Sequence, residues 1–166
     1  RAVNTLYAMV GYRSARYERF GWAAAHLDDV ANWAPARVTA ALAAACAPAA
    51  GGHPRHAWRI ARRQGSRHPS PNAGYCEAAF AGALGLRLGG VNSYEGAAQA
   101  RPELGEGRVP EVADIERAVR LCQAVTAASA GLAALASVAL ARLPALRRPG
   151  ASDGGWSGRP GARSAR

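Results

Sequence analysis

Phe20-Gly21-Trp22-Ala23-Ala24-Ala25-His26-Leu27-Asp28-Asp29-Val30-Ala31-Asn32-Trp33 has the spacing of a helix, with Phe20, Ala24, Leu27 and Ala31 recurring on one face. Pro35 sets the expected boundary, because a proline inside a helix removes a hydrogen bond and clashes with the preceding turn. Asp28 and Asn32 then lie on the same side. Asp28 and Asp29 are also the only adjacent carboxylates in the chain. Two such groups repel unless a cation or basic group neutralises them. Mg²⁺ carried by a phosphorylated substrate is one explanation, and a solvated helix face is the other.

Downstream of this stretch the chain reads as further helices. Val38 to Ala50 is an uncharged, alanine-rich run whose helical length of roughly 20 Å falls short of a hydrocarbon core. A buried, interfacial or re-entrant helix suits it better than a full span. A basic helix opens at Pro54, with Trp58, Ile60 and Ala61 apolar among Arg55, Arg59, Arg62, Arg63 and Arg67. Another runs from Gly74 to Leu88, and a last one starts at Val112. Ala124 to Ala141 is uncharged and near spanning length, flanked by Arg117 and Arg120 before it and Arg142, Arg147 and Arg148 after it. It is the better transmembrane candidate, although its alanine and serine contribute little to insertion, so membrane and soluble readings both stand. Gly89 to Pro110 reads as a glycine-rich loop, and no strand alternation appears, so the expected class is all-α.

The chain has 166 residues with a net charge of +10, and Arg supplies all 21 residues of its Lys+Arg total. Arginine favours phosphate and carboxylate groups that accept bidentate hydrogen bonds, which leaves nucleic acid, anionic lipid and phosphorylated metabolites open. Cys46, Cys76 and Cys122 are far apart and odd in number, so they read as reduced, buried small side chains. His53 and His56 have no further Cys or His beside them to complete a zinc site. Residues 1–146 form the expected domain, a C-terminal part of a longer protein, and residues 147–166 an Arg/Gly/Pro tail expected to be disordered.

Three polar clusters can carry chemistry. Asp28 and Asp29, with Asn4, Arg13, Arg16 and Arg19 upstream, can hold a metal and the phosphates it bridges, or form a surface ion-pair network. His68-Pro69-Ser70-Pro71-Asn72-Ala73-Gly74 stiffens the entry to a helix and offers hydroxyl, amide and free N–H groups to an anion. Its plainer reading is a helix-entry turn with Asn72 as N-cap. Leu88-Gly89-Gly90-Val91-Asn92-Ser93-Tyr94 can hydrogen-bond a polar ligand, though such loop chemistry is common.

The order Ala-Val-Asn-Thr-Leu, Gly-Tyr-Arg, Phe-Gly-Trp-Ala-Ala-Ala-x-Leu-Asp-Asp-Val-Ala-Asn-Trp-x-Pro-Ala-Arg, His-Pro-Ser-Pro-Asn-Ala-Gly and Leu-Gly-Gly-x-Asn-Ser-Tyr resembles the adenosylcobinamide-phosphate synthase family of cobalamin biosynthesis. The resemblance implies an integral-membrane ligase that joins aminopropanol or its phosphate to a propionate carboxylate of adenosylcobyric acid, a corrinoid, with ATP as co-substrate and Mg²⁺. It implies a multi-pass protein of the cytoplasmic membrane with its active site facing the cytoplasm, and association with other corrin-pathway enzymes rather than nucleic acid. The implied roles are Asp28 and Asp29 for metal and catalysis, and His68 as proton acceptor for the amine. Asn4, Arg13, Arg16, Asn32, Trp33, Ser70, Asn72, Glu77, Asn92 and Tyr94 are the implied substrate contacts.

Two positions depart from the family pattern: Tyr7-Ala8 stands where Asp-Ser is usual, and His26 where Arg or Lys is common. For the implied site to be shared, Val38 to Ala50 must not carry the Asp28 and His68 motifs to opposite membrane faces. The competing readings are a basic helical module that binds lipid or nucleic acid without catalysis, and an inactive truncated member of the family.

Overall fold

The computed structural model describes residues 3, 5, 7–11, 18–94 and 97–142. Asn4, Arg13, Arg16 and the tail expected at 147–166 lie outside the described residues. The chain divides into two compact units, residues 1–132 and 133–166. In the first, a π-helical turn, Tyr7–Gly11, precedes helix α1, Glu18–Ala45. Helices α2, Pro54–Gln64, and α3, Ala73–Leu84, follow, then strands β1, Leu88–Tyr94, and β2, Ala97–Leu104, and the part up to residue 132 of helix α4, Asp114–Arg142. The described part of the second unit is the end of α4, residues 133–142.

Helix α1 does not stop at Pro35; it runs for 28 residues with the proline inside it. Pro35 and Ala31, whose carbonyl loses its partner, both sit on the exposed side, where water can replace the bond. Beyond the proline, Ala36, Ala40, Ala43 and Ala44 are buried and hold the helix against its neighbours. Val38 to Ala50 is therefore not a helix of its own but the last turns of α1 and the 3-10 turn Ala47–Ala50, which ends at Gly51, and of the expected readings it matches the buried one. Its alanines meet Ala57 and Ala61 of α2, Ala79 and Ala83 of α3, and Leu121 and Val125 of α4 in one core. Small side chains let these backbones approach closely, so the alanine excess is the packing code of the fold.

Three boundaries or burials also differ from expectation. Helix α3 begins at Ala73 and ends at Leu84, where Gly85 turns left-handed, rather than reaching Leu88. Trp58 is 41% exposed, and the buried face of α2 is Ala57, Ile60, Ala61 and Gln64. Cys46 and Cys76 are half-buried and Cys122 is exposed, all three free.

The expected glycine-rich loop is an antiparallel hairpin, which makes the chain mostly helical rather than all-α. Leu88 pairs with Leu104 and Gly90 with Arg101, with a bulge between them. Gly89 and Gly90 have φ of 96° and 84°, and a Cβ on Gly89 would collide with the Pro102 carbonyl. Leu104 anchors the hairpin base beside Ile60 and Ala78. Gln64 fastens it to α2, accepting a hydrogen bond from Gly105 N–H at 2.6 Å. Helix α4 is the one element among the described residues long and apolar enough to cross a membrane, with a mean hydropathy of 1.8 over its most apolar stretch.

Candidate functional site

The start of α3 docks on the middle of α1, and Asn72 makes the joint. Asn72 is buried, and its side chain does not cap α3. Its Nδ2 donates to the Asp29 carbonyl at 2.8 Å, and its Oδ1 accepts from Arg37 at 2.6 Å. The capping work falls to Ser70, whose Oγ accepts from Ala73 N–H at 3.3 Å. The plain helix-entry reading of Asn72 therefore fails: its amide reaches two positions of α1, 35 and 43 residues away.

Arg37 stands four residues after Trp33, so the two side chains meet on one helix face. Its guanidinium carbon lies 4.9 Å from the Trp33 ring centre and 4.2 Å from that of Tyr75 in α3. One nitrogen serves Asn72 and, at 3.3 Å, the Trp33 carbonyl. No carboxylate stands within ion-pair distance of Arg37 among the described residues. Next to it Cys76 donates weakly to the Ala36 carbonyl at 3.6 Å; burial pushes that thiol's pKa up, Glu77 adds to the rise and Arg37 opposes it.

His68 closes the turn. Both backbone groups of Ser70 reach its Nδ1, the N–H at 3.0 Å and the carbonyl at 3.3 Å. Nδ1 thus has a partner with or without its proton, which leaves Nε2 for outside chemistry. Nε2 lies 4.0 Å from Glu77 Oε1.

The Asp28 and Asp29 pair is split by the geometry of the helix, since neighbouring positions face different directions. The backbone of Asp29 belongs to the Asn72 joint. Asp28 takes Asn32 Nδ2 on its carbonyl at 3.0 Å, and its Oδ1 is buried with no hydrogen-bond partner among the described residues. An orphaned carboxylate oxygen fits Mg²⁺, which needs only one or two carboxylates when phosphate supplies the rest. No cluster of three or more metal-binding side chains occurs among the described residues, so an all-protein cage does not fit. Of the family departures, His26 bonds the Trp22 carbonyl at 3.0 Å and packs on that ring on the exposed side.

Asn92 and Tyr94 are backbone positions of β1, and their side chains lie outside the described residues. The structure thus brings together Asp29, Trp33, Ser70, Asn72, His68 and Glu77, and adds Arg37 and Tyr75. Arg37 ends the Asn-Trp-x-Pro-Ala-Arg motif but has no site role in the sequence reading, although the Trp-x-x-x-Arg spacing carries its signal.

A second arginine cluster lies at the start of α4. Arg108 grips the buried Asp114 carboxylate in a fork at 2.7 and 2.8 Å, and Arg117 adds a bond at 2.8 Å. Arg117 also donates to the Ala50 and Leu84 carbonyls at 3.1 and 2.9 Å, tying down the ends of the preceding turn and of α3. Arg108, the Glu111 N–H and Arg117 hold the Asp114 carboxyl well below the usual range.

Residues 1–122 match the family described as CobD/Cbib protein. The cobalamin biosynthesis protein CobD of Mycobacterium tuberculosis is 60% identical over 135 residues, 81% of this chain and 43% of the relative. That of Geobacter metallireducens is 54% identical over 110 residues, 66% of this chain and 35% of the relative. The Pelobacter propionicus protein is 43% identical over 143 residues, 86% and 44% of the two chains. The chain spans less than half the length of these curated relatives. No solved structure matches. The family model and these identities cover the same stretch that holds the Asn72 joint, and on them the chain belongs to the CobD/Cbib family.

Proposed function

We propose that the chain acts in cobalamin biosynthesis, forming the amide bond between aminopropanol or its phosphate and a propionate carboxylate of adenosylcobyric acid. The observation that carries this reading is the docking of the His68–Gly74 turn onto the Asp29–Arg37 stretch through Asn72. It gathers motifs far apart in the chain at one place, as a two-substrate condensation requires.

A carboxylate does not react with an amine until it is activated, and ATP is the co-substrate that fits. The carboxylate oxygen attacks the terminal phosphorus of ATP, ADP leaves and an acyl phosphate remains; the amine then attacks its acyl carbon, inorganic phosphate leaves and the amine gives up a proton. Mg²⁺, when bound, neutralises phosphate charge, and Asp28 is the carboxylate best placed to hold it, with Asp29 as its neighbour. His68 Nε2 takes the proton that the amine loses, and Glu77 stabilises the resulting imidazolium. Asn32, Trp33, Ser70 and Asn72 orient the substrates, joined by Asn92 and Tyr94 from the hairpin and by Asn4, Arg13 and Arg16. Helix α4 anchors the chain in the cytoplasmic membrane within a multi-pass protein, with the site facing the cytoplasm and other corrin-pathway enzymes nearby.

Deleting the coding region from its host tests this reading. The strain should accumulate adenosylcobyric acid, and re-expression should restore the amide product while Asp28→Asn does not. An unchanged corrinoid pool in the deletion strain would rule the function out.

A further inference from the structure

Arg37 is held in place without having its charge answered. Arg59, Arg63, Arg87, Arg108, Arg117 and Arg120 each have a carboxylate within 4.0 Å. Arg37 instead has two aromatic rings and the neutral amide of Asn72. Rings attract a cation but supply no acceptor in the plane of the guanidinium. Both of its hydrogen bonds leave from one terminal nitrogen, so Nε and the other terminal nitrogen make none among the described residues. That edge carries three N–H donors in the fork that matches phosphate or carboxylate.

Freezing a long side chain costs rotamer entropy, and partial burial of an unneutralised cation costs more. Both costs are already met here by Trp33, Tyr75 and Asn72, so an arriving anion gains a pre-set partner. Asn72 also fixes the place: the fork sits where α1 meets the His68–Gly74 turn.

We infer that Arg37 is an anion-binding residue whose free edge receives a phosphate or carboxylate group of a ligand at the α1–α3 joint. That the ligand is a substrate of amide formation rests on the function proposed above; the anion site itself does not.

Phenylglyoxal modification of the full chain, quantified at each arginine by mass spectrometry, tests the site without ATP or corrinoid. Arg62, exposed on α2, is the internal control. Inorganic phosphate and acetate are added separately at constant ionic strength. One of them should slow modification of Arg37 about tenfold at ten times its dissociation constant, leaving Arg62 unchanged. Protection at lower phosphate concentration assigns a phosphate group, and protection at lower acetate concentration assigns a carboxylate. Equal protection of Arg37 and Arg62, or none at all, overturns the proposal. So does an Arg37 that never reacts, since an oxyanion needs the same edge. Because corrinoid pools play no part, a failure of the anion site and a failure of the amide-forming reading are separable.

Discussion

Two arginine clusters in this chain use the same side chain to opposite ends. At the start of α4, Asp114 answers Arg108 and Arg117, and Arg117 also ties the carbonyls of Ala50 and Leu84. At the α1–α3 joint, Arg37 is packed by Trp33 and Tyr75 and aligned by Asn72, with no carboxylate among the described residues. The first gives each arginine a carboxylate, Glu111 adding a second for Arg108 at 3.6 Å, and fastens three segments. The second is rigid but charge-incomplete, which is the condition of a site that waits for an anion. An arginine's neighbours, rather than its exposure, separate a brace from a binding group.

Breaking the brace should have the largest effect on folding. Asp114→Ala leaves Arg108 and Arg117 without their shared anion, and the denaturation midpoint should fall further than for any variant at the Asn72 joint. Breaking the joint should act on turnover instead. Asn72→Ala lets the His68–Gly74 turn slide on α1, and a misplacement of that kind costs about 100-fold in the proposed amide formation. Its stability loss, measured by urea denaturation, should stay at about 1–3 kcal/mol.

Gly74→Ala sharpens the contrast with a smaller effect. A Cβ there would collide with the Gly65 carbonyl and His68 Cβ, moving His68 while leaving the Asp114 cluster untouched. Overpacking of this kind costs about 1–3 kcal/mol, so the helical signal should survive while turnover in the proposed reaction falls.

The smallest effect is a flat pH response. Asp114, in the first turn of α4 and outside the apolar stretch 124–141, has its carboxyl pKa depressed in the folded chain. A depressed carboxylate contributes stability above its unfolded pKa of about 3.9 and loses it as pH falls toward the folded value. The gap between the parent and Asp114→Asn midpoints should therefore be constant from about pH 7 to 5 and narrow below about 4. A gap that closes between pH 7 and 5 would show that the carboxylate is not held by its arginines.

Much of the helical framework was legible, because α2 and α4 show amphipathic or apolar patterning and Pro54 marks an entry. Pro35 misled, since sequence does not say that Ala31 and Pro35 face water while alanines beyond them are buried. The hairpin was hidden for a related reason. Its register depends on Gly89 and Gly90, which carry no side chain to alternate, and Leu104 is its fully buried anchor among the described residues. In the site, the His68–Gly74 turn was legible as a motif but its target was not. The reach of Asn72 to Asp29 and Arg37 is a tertiary contact, and the polar residue types alone favour the helix cap instead.

The contrast between the clusters is tested most directly by comparing Arg37→Gln and Arg117→Gln in the deletion strain, measuring the amide-bonded corrinoid that the proposed reaction forms per molecule of expressed protein. Arg37→Gln should accumulate to the parental level and form little product, whereas Arg117→Gln should accumulate poorly yet form product in proportion to what is present. Parental product per molecule from Arg37→Gln would contradict the account, because the arginine without a carboxylate would then be packing alone.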